Sequence, residues 1–189
     1  MSASPRMPAA VAAALVDALE GADIAVWVDG GWAVDAVLGE QTREHGDLDV
    51  VVEAADVPRL RALLAERGFV DVPRPDTRPW NFVLGDPHGV QVDVHAVVFD
   101  EHGNGVYGPA AAGEAFPAEA LTGAGVIAGR RVRCIAPAWL LRFRTGYEPR
   151  DVDRLDVAAL CARFALEPPE AYRDEARAPA SGAAGGAVP

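Results

Sequence analysis

The segment Asp47-Leu48-Asp49-Val50-Val51-Val52 restricts most sharply what this chain can fold into. A run so rich in valine suits a buried strand, and on a strand residues two apart project to the same face. Asp47 and Asp49 therefore stand side by side at the strand head, while Leu48 and Val50 face the other way. Two carboxylates roughly 5 Å apart repel by about 3 kcal/mol at an effective dielectric near 20. A divalent cation removes that cost, and oxygen ligands at a strand end suit Mg2+.

A second segment, Val90-Gln91-Val92-Asp93-Val94-His95, places valines on one face and Gln91, Asp93 and His95 on the other. If this strand neighbours the first, Asp93 joins Asp47 and Asp49. Three carboxylates can hold two Mg2+ ions about 3.5–4 Å apart, the arrangement that clamps attacking and leaving oxygens in phosphoryl or nucleotidyl transfer. Upstream, Trp27-Val28-Asp29-Gly30-Gly31-Trp32-Ala33 reads as strand, glycine bend and helix start. The bare N–H groups of Gly30 and Gly31 can approach an anion, and the helix dipole favours it. Arg43 precedes the acidic strand and is either a partner for a triphosphate or half of a surface ion pair with Glu40 or Glu44. His45 shares the face of the acid pair, where it contacts phosphates, orients an acid or makes a strand-end hydrogen bond.

The chain has 189 residues, half of them apolar, enough for one compact domain with a small appendage. Helices are predicted over 8–20, 32–38, 56–67, 137–144 and 149–164, with Asp56 capping the third. Strands are predicted over 24–28, 47–53, 69–72, 81–84 and 90–99, and a hairpin over 126–135 turning at Gly129. Residues 100–124 read as loop carrying short helices. This order points to an α+β domain of α/β type with a mixed sheet. The expected divisions are a core over 1–135, a helical part over 136–173 and a disordered tail over 174–189.

The formal charge of −11 disfavours a nucleic-acid partner and favours a cationic small ligand. All 17 basic residues are arginine, so no lysine takes part in catalysis. No apolar run is long enough for a bilayer, and the start lacks the pattern of a signal peptide, so no membrane partner is expected and the cytoplasm is the expected compartment. Cys134 and Cys161 lack zinc-site spacing and read as buried small hydrophobes.

Other residues have weaker readings. Asp35 reads as structural, capping or pairing with Arg43, and Trp32 as packing. His95 reads as a core histidine with substrate positioning as the alternative. Trp80 and Tyr107 lie in expected loops where an aromatic can stack on a sugar or base. Arg130, Arg131 and Arg133 read as a solvated strand face, and Asp153 and Asp156 as ion-pair partners of Arg150 or Arg154.

Taken together, Gly30-Gly31-Trp32-Ala33-Val34-Asp35 and Leu38-Gly39-Glu40-Gln41-Thr42-Arg43-Glu44-His45-Gly46-Asp47-Leu48-Asp49 resemble the signature of the antibiotic nucleotidyltransferases. These are the aminoglycoside 2″-adenylyltransferase and lincosamide nucleotidyltransferase group of the DNA polymerase β-like superfamily. Phe143-Arg144-Thr145-Gly146-Tyr147-Glu148, with Asp153 and Asp156-Val157, resembles the C-terminal part of that group, so the likeness spans about 24–165. It implies a nucleotidyltransferase fold, a mixed sheet flanked by helices with a small helical C-terminal part. It implies that Asp47 and Asp49 hold Mg2+ and the triphosphate of ATP or another NTP. Asp93 corresponds to the third acid, a metal ligand or the base on the substrate hydroxyl. The implied reaction is attack at the α-phosphorus, release of pyrophosphate and a modified antibiotic, an aminoglycoside or lincosamide. Arg144 stands where many relatives carry histidine, and the lysine that some place near the site is absent. The alternatives are transfer to a protein or tRNA, or a non-catalytic antitoxin-like module of the same fold.

Overall fold

The computed structural model describes residues 7–173. After Pro8, α1 (Ala9–Gly21) buries Ala12, Leu15, Val16 and Leu19, which recur at helical spacing. β1 (Val26–Val28) runs into α2 (Gly30–Leu38), where the Asp29 carboxylate accepts the Gly30 N–H at 2.7 Å. β2 (Asp47–Glu53) follows, then α3 (Val57–Ala65). The expected cap at Asp56 is corrected: its carboxylate takes Arg59 at 2.6 Å and makes no capping bond. Its backbone, at φ −88° and ψ −11°, is already helical after the Ala54–Asp56 turn, so it lacks the extended geometry of a capping residue.

β3 (Val70–Val72), β4 (Asn81–Gly85) and β5 (Gln91–Phe99) form an antiparallel meander. In the β4–β5 turn, the Asp86 carboxylate accepts the N–H groups of His88 and Val90 at 2.9 and 2.8 Å. The stretch read as loop carrying short helices has two short helical turns, Ala110–Ala112 and Ala118–Thr122, but it also contains β6 (Gly105–Tyr107), β7 (Ala115–Phe116) and the start of β8 (Gly123–Ile127). A turn built on Asp100, which accepts the N–H groups of His102 and Asn104, folds β6 back onto the end of β5. Such short strands leave no alternation to read. β9 (Arg130–Cys134) completes the hairpin.

The sheet order is β3-β4-β5-β2-β1-β9-β8, with β6 pairing β5 and β7 pairing β6. Two pairings are parallel, β2 with β5 and β1 with β9; the others are antiparallel. The result is the mixed-sheet α+β architecture that the order of elements foretold. Leu48, Val50, Val52, Val92 and Val94 have no solvent exposure and form one buried face of the central strands. Burying each such side chain contributes about 1.5–3 kcal/mol.

The compact units divide at Leu140, within α4 (Pro137–Arg142). The first holds the nine described strands and α1 to α3. The second contains α5 (Asp151–Phe164), where Arg144 pairs with buried Asp156 at 2.8 Å and Arg150 with Asp153 at 2.8 Å. Cys134 is buried, but Cys161 is half-buried on α5, a correction of its expected burial. Arg130 binds Asp17 and Glu20 of α1, and Arg133 binds Glu20, so this cluster is tied to a helix. No helix among the described residues is long and apolar enough to cross a membrane. The stretch expected to be a disordered tail lies outside the described residues.

β8 meets α2 at one tight point, where a side chain on Gly125 would overlap the backbone of Ala36. Gly125→Val is expected to cost about 1–3 kcal/mol by overpacking. Urea unfolding should show a lower midpoint at unchanged slope.

Candidate active site

The parallel pairing of β2 with β5 sets Asp49 opposite Asp93 and Asp47 opposite Gln91. Since Leu48, Val50, Val92 and Val94 fill the buried face, the acids and His95 share the other. Asp49, Asp93 and His95 each offer one ligand atom, and these atoms lie within 4.8 Å of one another. Asp47 is outside this closest trio, but its charge still acts on Asp93. Asp93 Oδ1 is buried and has no hydrogen-bond partner among the described residues. Burial, reinforced by the charges of Asp47 and Asp76 and opposed by His95 and Arg74, holds the Asp93 carboxyl above its ordinary value.

The glycine bend is fastened to the same strand: the Asp29 N–H donates to the Asp49 carbonyl at 2.9 Å. Gly30 has φ +60°, and a methyl group there would overlap the Asp49 carboxylate. A methyl on Gly31 would overlap the Arg43 guanidinium and the His45 imidazole. Gly30, Gly31, Arg43, His45 and Asp49 are thus gathered around one bend.

His45 lies in the loop before β2 rather than on the strand, and it is buried. Its Nε2 is 2.5 Å from Asp35 Oδ2, and its ring centroid is 4.3 Å from that of Trp32. Its carbonyl accepts the Met7 N–H at 2.7 Å. The other Asp35 oxygen accepts the Thr42 N–H and hydroxyl at 3.0 and 2.6 Å. Asp35 therefore clamps the loop that carries Arg43 to the helix that follows the glycine bend. Burial opposes its ionisation, but the hydrogen bonds from His45 and Thr42 prevail and hold its carboxyl below the ordinary range.

His95 Nδ1 lies 3.2 Å from the Tyr107 hydroxyl, and its ring also packs against Phe116. Burial, helped by nearby carboxylates led by Asp93, raises the Tyr107 phenol and keeps it protonated. Tyr107 belongs to β6, so sequence reasoning had no strand on which to place it. The place of His95 was legible, because it follows Asp93 at the same two-residue interval that separates Asp47 from Asp49. Beside Asp93, a small open cleft is lined by Arg74, Asp76, Thr77, Asn81, Phe82 and Val83. Trp80 packs against Gly108, where a methyl group would meet its indole.

A mixed sheet that presents paired carboxylates beside a glycine bend and helix start sets places for a divalent cation and an anion side by side. The chain belongs to the aminoglycoside-2''-adenylyltransferase family, whose model matches residues 11–160. It is 24% identical over 147 residues to the lincosamide resistance protein of Staphylococcus haemolyticus, covering 77% of this chain and 89% of that one. Its fold is similar to that of the lincomycin-bound lincosamide antibiotic adenylyltransferase LnuA, with a TM-score of 0.66 at 23% identity, covering 78% of this chain and 92% of that one. It is also similar to ANT(2'')-Ia in complex with adenylyl-2''-tobramycin, with a TM-score of 0.61 at 20% identity, covering 82% and 88%. As a member of this family, the chain is a nucleotidyltransferase.

Asp35→Asn leaves Thr42 and His45 with a poorer partner and is expected to destabilise the first unit by about 1–3 kcal/mol. Since folding lowers the proton affinity of Asp35, its stabilisation is complete above the ordinary value of 3.8 and fades as pH falls through the lower folded value. The stability gap between wild type and D35N, followed by thermal unfolding, should therefore narrow only in acid.

Proposed function

We propose that this chain transfers a nucleoside monophosphate, AMP foremost, from an NTP to a hydroxyl of a small antibiotic, with release of pyrophosphate. Aminoglycosides and lincosamides are the substrate classes, in keeping with the family and the lincosamide resistance relative. The observation that carries the reading is the register Asp49↔Asp93 beside a bend with no room for a side chain at Gly30.

Asp47, Asp49 and Asp93 are the residues that would hold divalent cations, two Mg2+ in the first instance. The donors fit: carboxylate oxygens suit a hard cation, and Asp93 Oδ1 is a buried acceptor without a hydrogen bond among the described residues. When bound, such ions screen the carboxylates and stabilise charge on the phosphoryl oxygens. The Gly31 N–H and the Arg43 guanidinium bind the triphosphate and orient its α-phosphorus; Gly30, expected to offer a bare N–H, gives it to the Asp29 carboxylate and contributes room for the approach instead. His45, held by Asp35, keeps Arg43 and the bend in register. Asp93 accepts the proton of the substrate hydroxyl as its oxygen attacks. The bond from the α-phosphorus to the bridging oxygen breaks, and pyrophosphate leaves.

Asp76 lines the cleft beside Asp93 and is the carboxylate proposed to meet an ammonium group of a cationic substrate, which the net charge of −11 attracts from a distance. Asp76→Asn is expected to raise KM for a polycationic aminoglycoside about tenfold, as lost binding shared by ground and transition states, with kcat little changed. Adding salt should narrow that difference.

The transfer itself is tested by pyrophosphate release with ATP or GTP, Mg2+ and a panel of aminoglycosides and lincosamides. Release with at least one drug is expected, with Asp93→Asn lowering kcat by roughly 10²–10⁴ while the fold survives. A D93N protein with wild-type turnover contradicts the assignment, as does label from ATP appearing in protein or RNA instead of the drug.

A further inference from the structure

The acids at this site have a nitrogen base beside them. His95 lies two residues beyond Asp93 on β5, on the same face, and its ring reaches both carboxylates: the trio Asp49, Asp93 and His95 brings one ligand atom from each within 4.8 Å of the others. Its ring is held in place. Nδ1 is 3.2 Å from the Tyr107 hydroxyl, the two rings meet edge-on at 5.6 Å, and Phe116 closes another side at 6.2 Å. A metal-binding imidazole commonly uses its second nitrogen for such a bond, which fixes both tautomer and orientation. A phenol hydroxyl can accept as well as donate, so Tyr107 can take the Nδ1 proton and leave the Nε2 lone pair for a ligand. Within the trio, Asp93 Oδ1 is a buried oxygen with no hydrogen-bond partner among the described residues.

We infer that Asp49, Asp93 and His95 together form a mixed oxygen and nitrogen site that binds a first-row transition-metal ion in preference to Mg2+, with Tyr107 positioning the imidazole. The inference rests on the metal site of the proposed function and changes the ion at one of its positions. Mg2+ gains little from an imidazole ligand, whereas affinity for a nitrogen donor rises from Mn2+ through the later divalent metals. Mn2+ stands at the weak end of that series, which makes it a stringent probe.

The test uses the full chain and Mn2+ alone. Titration followed by the EPR signal of free Mn2+, with Mg2+ as competitor, gives both affinities, and pulsed EPR reads nitrogen coupling to the bound ion. Wild type is expected to bind Mn2+ at least about tenfold more tightly than Mg2+, with a nitrogen modulation that changes on 15N-labelling of histidine. His95→Asn should weaken Mn2+ by about 10–100-fold and leave Mg2+ nearly unchanged. Tyr107→Phe should weaken Mn2+ in the same selective way by a smaller factor. Asp49→Asn should weaken both ions. Bound Mn2+ without histidine coupling overturns the inference, as does a parallel loss of both ions in H95N; either result leaves the carboxylate site and the transfer reaction standing. The labelling result needs no variant, so it holds even if H95N folds poorly. Absence of bound Mn2+ in wild type, or D49N binding both ions like wild type, overturns the inference and the metal site together. Pyrophosphate release assayed on the same preparation then shows whether the proposed function falls as well.

Discussion

Parallel pairing of β2 with β5 is the constraint on which the rest depends. It places Asp49 and Asp93 on adjacent strands, about 4.8 Å apart in backbone spacing. At an effective dielectric near 20, two such charges repel by about 3 kcal/mol. The sheet tolerates this because the opposite faces of both strands, Leu48, Val50, Val92 and Val94, are wholly buried and fix the register. A slip by one residue would turn the valines outward and the acids into the core, at a cost far beyond that repulsion. Core packing on one side of the sheet thus holds an unfavourable charge arrangement on the other.

A second device aligns the glycine bend with that arrangement. Asp35, on the helix that the bend begins, takes three hydrogen bonds from Thr42 and His45. The loop that delivers Arg43 and leads into β2 is therefore tied to the helix at both of its ends. The Asp29 N–H bond to Asp49 closes the connection from the other direction. Gly30 and Gly31 complete it by absence of side chains, since anything larger would displace Asp49, Arg43 or His45. Charged and polar groups around the bend are fixed mainly by one another, within a first unit that holds them all.

Much of this was legible in the sequence because it is periodic or local. Alternation located β2 and β5 and put Asp47 with Asp49, and glycine followed by apolar helical spacing located the bend and α2. The adjacency of β2 and β5 was a condition the sequence left open, since pairing between distant strands is a tertiary fact. Asp35 shows the limit well: nothing at position 35 says that its partners are Thr42 and His45, because the loop between them has no period. β6 and β7 were lost for a related reason. They are only three and two residues long, and they form because Asp100 turns the chain back, bringing Tyr107 to His95. The weight of His95 at the site followed from that missed strand.

The most direct measurement is an experimental structure of the full chain with a non-hydrolysable ATP analogue and a divalent cation. Phosphates are expected against the Gly31 N–H beside the Gly30 bend, with Arg43 on the triphosphate and the α-phosphorus beside Asp49 and Asp93. A nucleotide bound elsewhere, or bound with Asp93 turned away from the α-phosphorus, would contradict it.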